Sequence, residues 1–269
     1  MTDKRFNIVF GVCHPDDEVL WAGGLLCELA RLEKFRTYVI CLSGLDETSP
    51  RMAEFESAKR TAGYTAGVIR GGKLRGANDP LPPTPITLAD GLMELKLQPE
   101  DIDLLITHAP FGDEHCNPHH VQAHRELKTW CAARAIGFAH FACIQLPGIA
   151  HKSMLSDLRR RGTLRLLQLT RCTGRRAPRY YVQFMTDISA KIRLVQCYQS
   201  IGQSEHDDGY TMFSNPCEAL YLQDERALRP IMALIESMRV PGATPLVRAK
   251  SFTRGALSRL RRLLLRERS

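Results

Sequence analysis

The chain has 269 residues, 44% of them hydrophobic, and its 37 Lys and Arg against 29 Asp and Glu give a formal net charge of +8. That length supports one well-buried core at the upper end of single-domain size, and no uncharged apolar run approaches the roughly 20 residues that a membrane-spanning helix needs. The nine cysteines are scattered, odd in number and without a C-x-x-C pair, which argues against a disulfide framework and for a reduced, cytoplasmic protein.

The segment Met1-Thr2-Asp3-Lys4-Arg5 runs directly into an apolar stretch and lacks the features of a signal peptide. The positive charge is concentrated. Residues 152–176 hold eight Lys and Arg and one acid, and residues 248–269 hold the same. The rest of the chain is therefore mildly acidic, and its basicity belongs to two appendages.

Taken in order, Phe6 to Val12 reads as a buried strand and Glu18 to Leu32 as a helix, with Leu20, Gly24, Leu25, Leu29 and Leu32 at helical spacing. Thr37 to Leu42 is a second strand, Pro50 to Thr61 a second helix, and Val68-Ile69 part of a short strand before the Gly-rich turn 71–76. That turn lacks the spacing of a P-loop or dinucleotide fingerprint and is expected to be a plain turn. Leu88 to Leu97 is helical, Leu104 to Thr107 a strand, His108 to Asn117 a long polar stretch, Val121 to Arg134 a helix and Phe138 to Leu146 a strand.

After Pro147 the pattern changes. Leu155 to Leu169 reads as a basic helix or a lid, Arg179 to Thr186 as a strand, and Ala190 to Gln199 as a helix capped by Asp187 or Ser189. Pro241, Gly242 and Pro245 mark a linker before the basic tail. The alternating order predicts an α/β fold: a Rossmann-like, mostly parallel sheet with helices on both faces.

Chemistry concentrates at two places. His14-Pro15-Asp16-Asp17-Glu18 follows the first strand and opens the first helix. An imidazole and three carboxylates crowded at a strand's C-terminal end call for a cation, and that edge of the sheet is where ligands bind in open α/β folds. His115-Cys116-Asn117-Pro118-His119-His120, with His124 beyond, follows another strand and opens another helix. Two such clusters at one sheet edge suit a His₂-carboxylate site with open positions for water. Cys116 is a soft donor by type, and His206-Asp207-Asp208 is either a second cluster or an exposed acidic loop.

The segment Cys13-His14-Pro15-Asp16-Asp17-Glu18 resembles the signature of the LmbE-like, or PIG-L, zinc-dependent deacetylases. Asp46-Glu47 through Arg51, Glu54 and Ala58, and Asp187-Ile188-Ser189 to Tyr198-Gln199-Ser200, resemble later parts of that family, so the likeness extends over most of residues 5–205. It implies removal of an N-acetyl group from an N-acetylglucosamine-type sugar of a glycoconjugate, lipid-linked saccharide or natural product. Within the same resemblance, a sugar-thiol conjugate amidase and a catalytically weakened sugar-binding protein remain alternatives.

Carried over position by position, His14, Asp17 and His120 are the implied zinc ligands, a donor set that also suits ferrous iron, and Asp16 the implied general base. The family's H-P-D-H is Asn117-Pro118-His119-His120 here, so its first His is Asn117 and its Asp is His119. His115 and Asn117 are therefore the candidates for stabilising the oxyanion, and Arg51 and Asp113 for contacting the sugar. The resemblance implies a deacetylase domain over residues 1–240, with 148–178 as a basic insertion or lid, and 241–269 as a basic tail. The expected partner is an acetamido sugar, with or without phosphate or lipid. The tail's leucines and arginines, at helical spacing, would suit peripheral contact with an anionic membrane surface. Nucleic acid is not expected, since no aromatics interleave with the basic segments.

Overall fold

The computed structural model describes residues 5–43, 49–71, 79–112, 116–142, 165–171, 180–200 and 217–238. Strands and helices alternate through β1 (Phe6–Val12), α1 (Asp17–Arg31), β2 (Phe35–Cys41), α2 (Pro50–Ala62), β3 (Ala66–Ile69), α3 (Thr84–Glu94), β4 (Leu104–Thr107), α4 (Pro118–Ala133) and β5 (Gly137–Phe141). All pairings among these strands are parallel. Then follow β6 (Arg165–Arg171), β7 (Tyr180–Met185), α5 (Ile188–Val195), β8 (Cys217–Leu222) and α6 (Glu225–Ser237). These three strands join antiparallel, β8 pairing with β5. The result is one 8-stranded sheet in the order β3-β2-β1-β4-β5-β8-β7-β6.

Strand periodicity divides the core into two layers. Phe6, Ile8, Phe10 and Val12 of β1 share one cluster with buried residues of α1, α2, α5 and α6, including Leu25, Phe55, Leu194 and Ile231. Val9 points the other way and packs with Leu88 and Leu92 of α3 and Leu127 and Trp130 of α4. Successive residues of a strand face opposite sides, so this apolar strand must be covered twice. The chain runs from β1 outward to β2 and β3, then returns to lay β4 on the other side of β1. That reversal opens a crevice at the C-terminal ends of β1 and β4.

Helix α1 is broken rather than continuous. Ala22 has φ −143° and ψ 20°, outside the helical region. The N–H groups of Gly24 and Leu25, freed by the break, donate to Glu218 Oε1 and Oε2 of β8 at 2.9 and 2.7 Å. Lys191 Nζ of α5 lies 3.0 Å from Glu218 Oε1, with both side chains buried. A helix start takes a carboxylate as its cap, and here the cap is brought from the far half of the sheet. Gly24 is required at this approach, because a Cβ there would stand 2.3 Å from Thr186.

Several expectations shift. Helix α4 begins at Pro118, three residues before the expected start. Asn117 Oδ1 accepts the His119 N–H at 3.0 Å as its cap, and Pro118 occupies the first turn. Arg165–Arg171 is an edge strand paired with β7, not the end of a basic helix. A register shift between Leu166 and Gln168 interrupts the pairing, and the adjacent Leu166 and Leu167 break the period of two by which a strand is recognised. Strand β8 and helix α6 are not among the expected elements, and Pro230 inside α6 interrupts the pattern by which a helix is recognised. Residues 72–76 of the Gly-rich turn, Asp46-Glu47, Asp113, Glu114, His115, residues 148–164, His206-Asp207-Asp208 and the tail 241–269 lie outside the described residues. Among the described residues, no helix is long and apolar enough to cross a membrane.

Candidate metal centre

The site begins where β1 ends. The Cys13 carbonyl accepts from Ser43 N at 3.0 Å and Ser43 Oγ at 2.6 Å, which fixes the strand end against the second residue after β2. Cys13 N–H donates to His108 Nε2 at 3.0 Å, which fixes it against the residue after β4. The chain then turns sharply. Asp16 has φ 143°, a conformation unusual for any side-chain-bearing residue, and such a residue costs of order 1–3 kcal/mol unless its surroundings hold it. Its carbonyl accepts from Val19 N and Leu20 N at 2.9 and 3.0 Å, and its N–H donates to Glu18 Oε2 at 3.0 Å.

Three side-chain atoms converge across the crevice. His14 Nδ1 and Asp17 Oδ2 are 3.3 Å apart, His120 Nε2 and Asp17 Oδ2 are 3.3 Å apart, and His120 Nε2 and His14 Nδ1 are 3.2 Å apart. Ligands about 2.0–2.1 Å from a tetrahedral zinc stand about 3.3 Å from one another. The three atoms thus form one face of the tetrahedron that such an ion occupies, with donors of the right chemistry. The face is open on one side: the His14 side chain is 24% exposed, against 5% for Asp17 and 3% for His120.

A second group, Cys13, His108 and His120, also clusters. It shares His120, is wholly buried, and its His108 Nε2 already accepts the Cys13 N–H. His14, Asp17 and His120 are the better metal site on both geometry and access.

The electrostatics suit a cation. Burial opposes ionisation of Asp17, but the imidazoles of His120 and His108 outweigh it and hold the carboxyl well below its usual range. Its Oδ2 also receives the His14 N–H at 2.8 Å. His108 lies flat against His120, ring centroids 3.7 Å apart, with Nε2 3.4 Å from Asp17 Oδ2. Burial, and then the neighbouring His120, push its pKa down to about 4.

Glu18 is fully buried, and burial raises its carboxyl to about 7 although the Tyr198 hydroxyl opposes the shift. Tyr198, past the end of α5, donates to Glu18 Oε1 at 2.5 Å. The strained Asp16 is therefore held by Glu18, and Glu18 by a phenol from the other part of the chain.

Of the residues singled out in the sequence, the structure brings His14, Asp17 and His120 together, and Asp16 precedes Asp17 in the same turn. Arg51, from α2, places Nη1 3.3 Å from Asp16 Oδ2. Glu54, one turn on, accepts from Ser200 N at 2.7 Å and Ser200 Oγ at 2.5 Å rather than facing the site. Asn117 uses its side-chain oxygen as the α4 cap. His115 and Asp113 lie outside the described residues. Sequence reasoning missed His108, whose one signal is its place as the first residue beyond β4. The sequence left Tyr198 open between packing and a hydrogen bond near the site, and His119 between facing solvent and standing behind a ligand; the structure gives Tyr198 a hydrogen bond to Glu18 and His119 a contact with His14.

No protein-family model and no curated protein matches the chain. Its fold is that of solved α/β deacetylases. A deacetylase of the teicoplanin biosynthesis pathway aligns over 80% of this chain and 97% of its own, at 13% identity and a TM-score of 0.50. A pseudoaglycone deacetylase aligns over 81% and 97%, at 16% identity and a TM-score of 0.46. The 4-carboxy-2-hydroxymuconate hydratase from Pseudomonas putida aligns over 81% and 95%, at 14% identity and a TM-score of 0.41. At 13% identity, the likeness to the teicoplanin-pathway deacetylase is one of fold.

Proposed function

We propose that the protein is a metal-dependent hydrolase that removes the N-acetyl group from an N-acetylglucosamine-type sugar of a glycoconjugate, lipid-linked saccharide or natural product. One observation carries the reading: the three candidate ligand atoms of His14, Asp17 and His120 are spaced as a tetrahedral face. His14, Asp17 and His120 would hold the ion, zinc first, with ferrous iron suited by the same donors. When bound, such an ion lowers the pKa of a water to about 7 and polarises an amide carbonyl.

The remaining work falls to the protein. Asp16 accepts the proton of the attacking water, and protonated Asp16 or an imidazolium then protonates the amine as the C–N bond breaks. Arg51 Nη1, 3.3 Å from Asp16 Oδ2, pairs with that carboxylate. The acetamide enters on the exposed side of His14, where the site is open. His115 and the amide nitrogen of Asn117 are the proposed donors to the developing oxyanion, each such donor being worth about 2.7–4 kcal/mol. Arg51 and Asp113 are proposed to contact the sugar. The activity named for the teicoplanin-pathway deacetylase, whose fold the chain shares, agrees with this reading.

The test is acetate release from a panel of N-acetylglucosamine conjugates by zinc-loaded and metal-stripped protein. Release that depends on the metal is expected. Zinc binding without release from any conjugate would replace the enzyme reading by a sugar-binding one.

A further inference from the structure

The ligand His14 has a second ring nitrogen, and the structure shows what it meets. His14 Nε2 lies 3.1 Å from His119 Nδ1, and His119 Nε2 lies 2.6 Å from the carbonyl oxygen of Asp79. A carbonyl only accepts, so His119 Nε2 carries the proton. In the neutral ring Nδ1 is then the acceptor, and His14 must donate to it from Nε2. His14 Nδ1 is left with its lone pair, aimed at the point it shares with Asp17 Oδ2 and His120 Nε2. One backbone carbonyl thus sets the tautomers of two histidines in series.

That carbonyl is itself held. Leu81 exchanges two hydrogen bonds with the Gln122 side chain at 3.1 and 3.0 Å. Thr84 donates its N–H and its hydroxyl to Glu126 Oε2, each at 3.0 Å. His119, Gln122 and Glu126 recur on one stripe of α4, so residues 79–84 are fastened along the helix that also supplies the ligand His120. His119 is buried and stands where the H-P-D-H pattern has Asp. An imidazole here does the work that a carboxylate or carbonyl usually does behind a metal-bound histidine.

We infer that His119 is a positioning residue for the metal ligand His14, setting its tautomer and ring orientation through a His14–His119–Asp79 carbonyl relay. The inference rests on the metal reading of the site given above, and the test separates the two. The measurement is zinc affinity, by competition with a chelator, of folded wild type and three variants: His119→Ala, His119→Asn and His119→Gln. An Asn side chain keeps an acceptor where His Nδ1 stood. A Gln side chain instead reaches the place of Nε2, and so preserves only the tie to Asp79.

His119→Ala and His119→Gln should weaken zinc binding about 10- to 100-fold, the usual effect of losing a ligand's outer partner, and His119→Asn should restore most of it. Wild-type affinity in His119→Ala, or rescue by Gln but not by Asn, would overturn the inference and leave the metal site standing. Failure of the wild type itself to bind zinc would overturn the metal reading, and the inference with it.

Discussion

The two halves of the sheet divide the labour. The parallel half, β3-β2-β1-β4-β5, carries every side chain of the proposed metal face, because its β1 and β4 end side by side where the strand order reverses. The antiparallel half, β8-β7-β6, carries none of them. It reaches beneath α1 instead, with Glu218 on the freed N–H groups of Gly24 and Leu25 and, through α5, Tyr198 on Glu18. A crevice can collect polar groups cheaply, since open strand ends expose backbone anyway. Holding them in one geometry needs buried partners from elsewhere in the fold. The difference teaches that the site is specified locally and enforced at a distance.

The comparison sharpens most at Asp16. Asp16→Asn should retain zinc and the fold while lowering the rate of acetate release about 100- to 10,000-fold, the usual span for a general base. Unchanged turnover with bound zinc would remove Asp16 from that role. In the other half, Glu218→Ala should destabilise the protein by about 3–5 kcal/mol, because it leaves the buried Lys191 ammonium without its partner and the α1 break without its cap. Denaturant unfolding reads this directly, and a loss below about 1 kcal/mol would show that the distant half does not enforce the turn.

Tyr198→Phe is the smaller version of the same test. Removing one hydroxyl from a buried carboxylate should cost about 1–3 kcal/mol, and turnover should fall while zinc affinity holds, because Asp16 relaxes and the ligands do not move. Equal loss of zinc affinity and turnover would show that the support acts on the whole face rather than on the base.

The same division decides what was legible in the sequence. The parallel half could be read nearly element by element, since each strand and helix carries its own period and the Asp16-Asp17-Glu18 turn opens α1 with acids. His14, Asp17 and His120 were legible because ligand chemistry stands at two strand ends in plain residue types. The rest depends on partners far away in the chain. Nothing near Tyr198 says that its hydroxyl meets Glu18, and nothing near Glu218 says that it caps a break in α1. The edge strand Arg165–Arg171 was hidden by its charge, which suggested a helix or lid, and by the adjacent Leu166 and Leu167, which break its alternation. His119 looked like a neighbour of the ligand. Only the carbonyl of Asp79, fastened along α4, makes it the group behind His14.

On the proposed function, His14, Asp17 and His120 form one metal face. The most direct test is calorimetric titration of metal-stripped wild type and Asp17→Ala with zinc, both checked for a native circular dichroism spectrum. The account predicts one zinc per chain in the wild type, with acetate release appearing as the site fills, and no tight site in the variant. Tight stoichiometric binding that survives Asp17→Ala would contradict it.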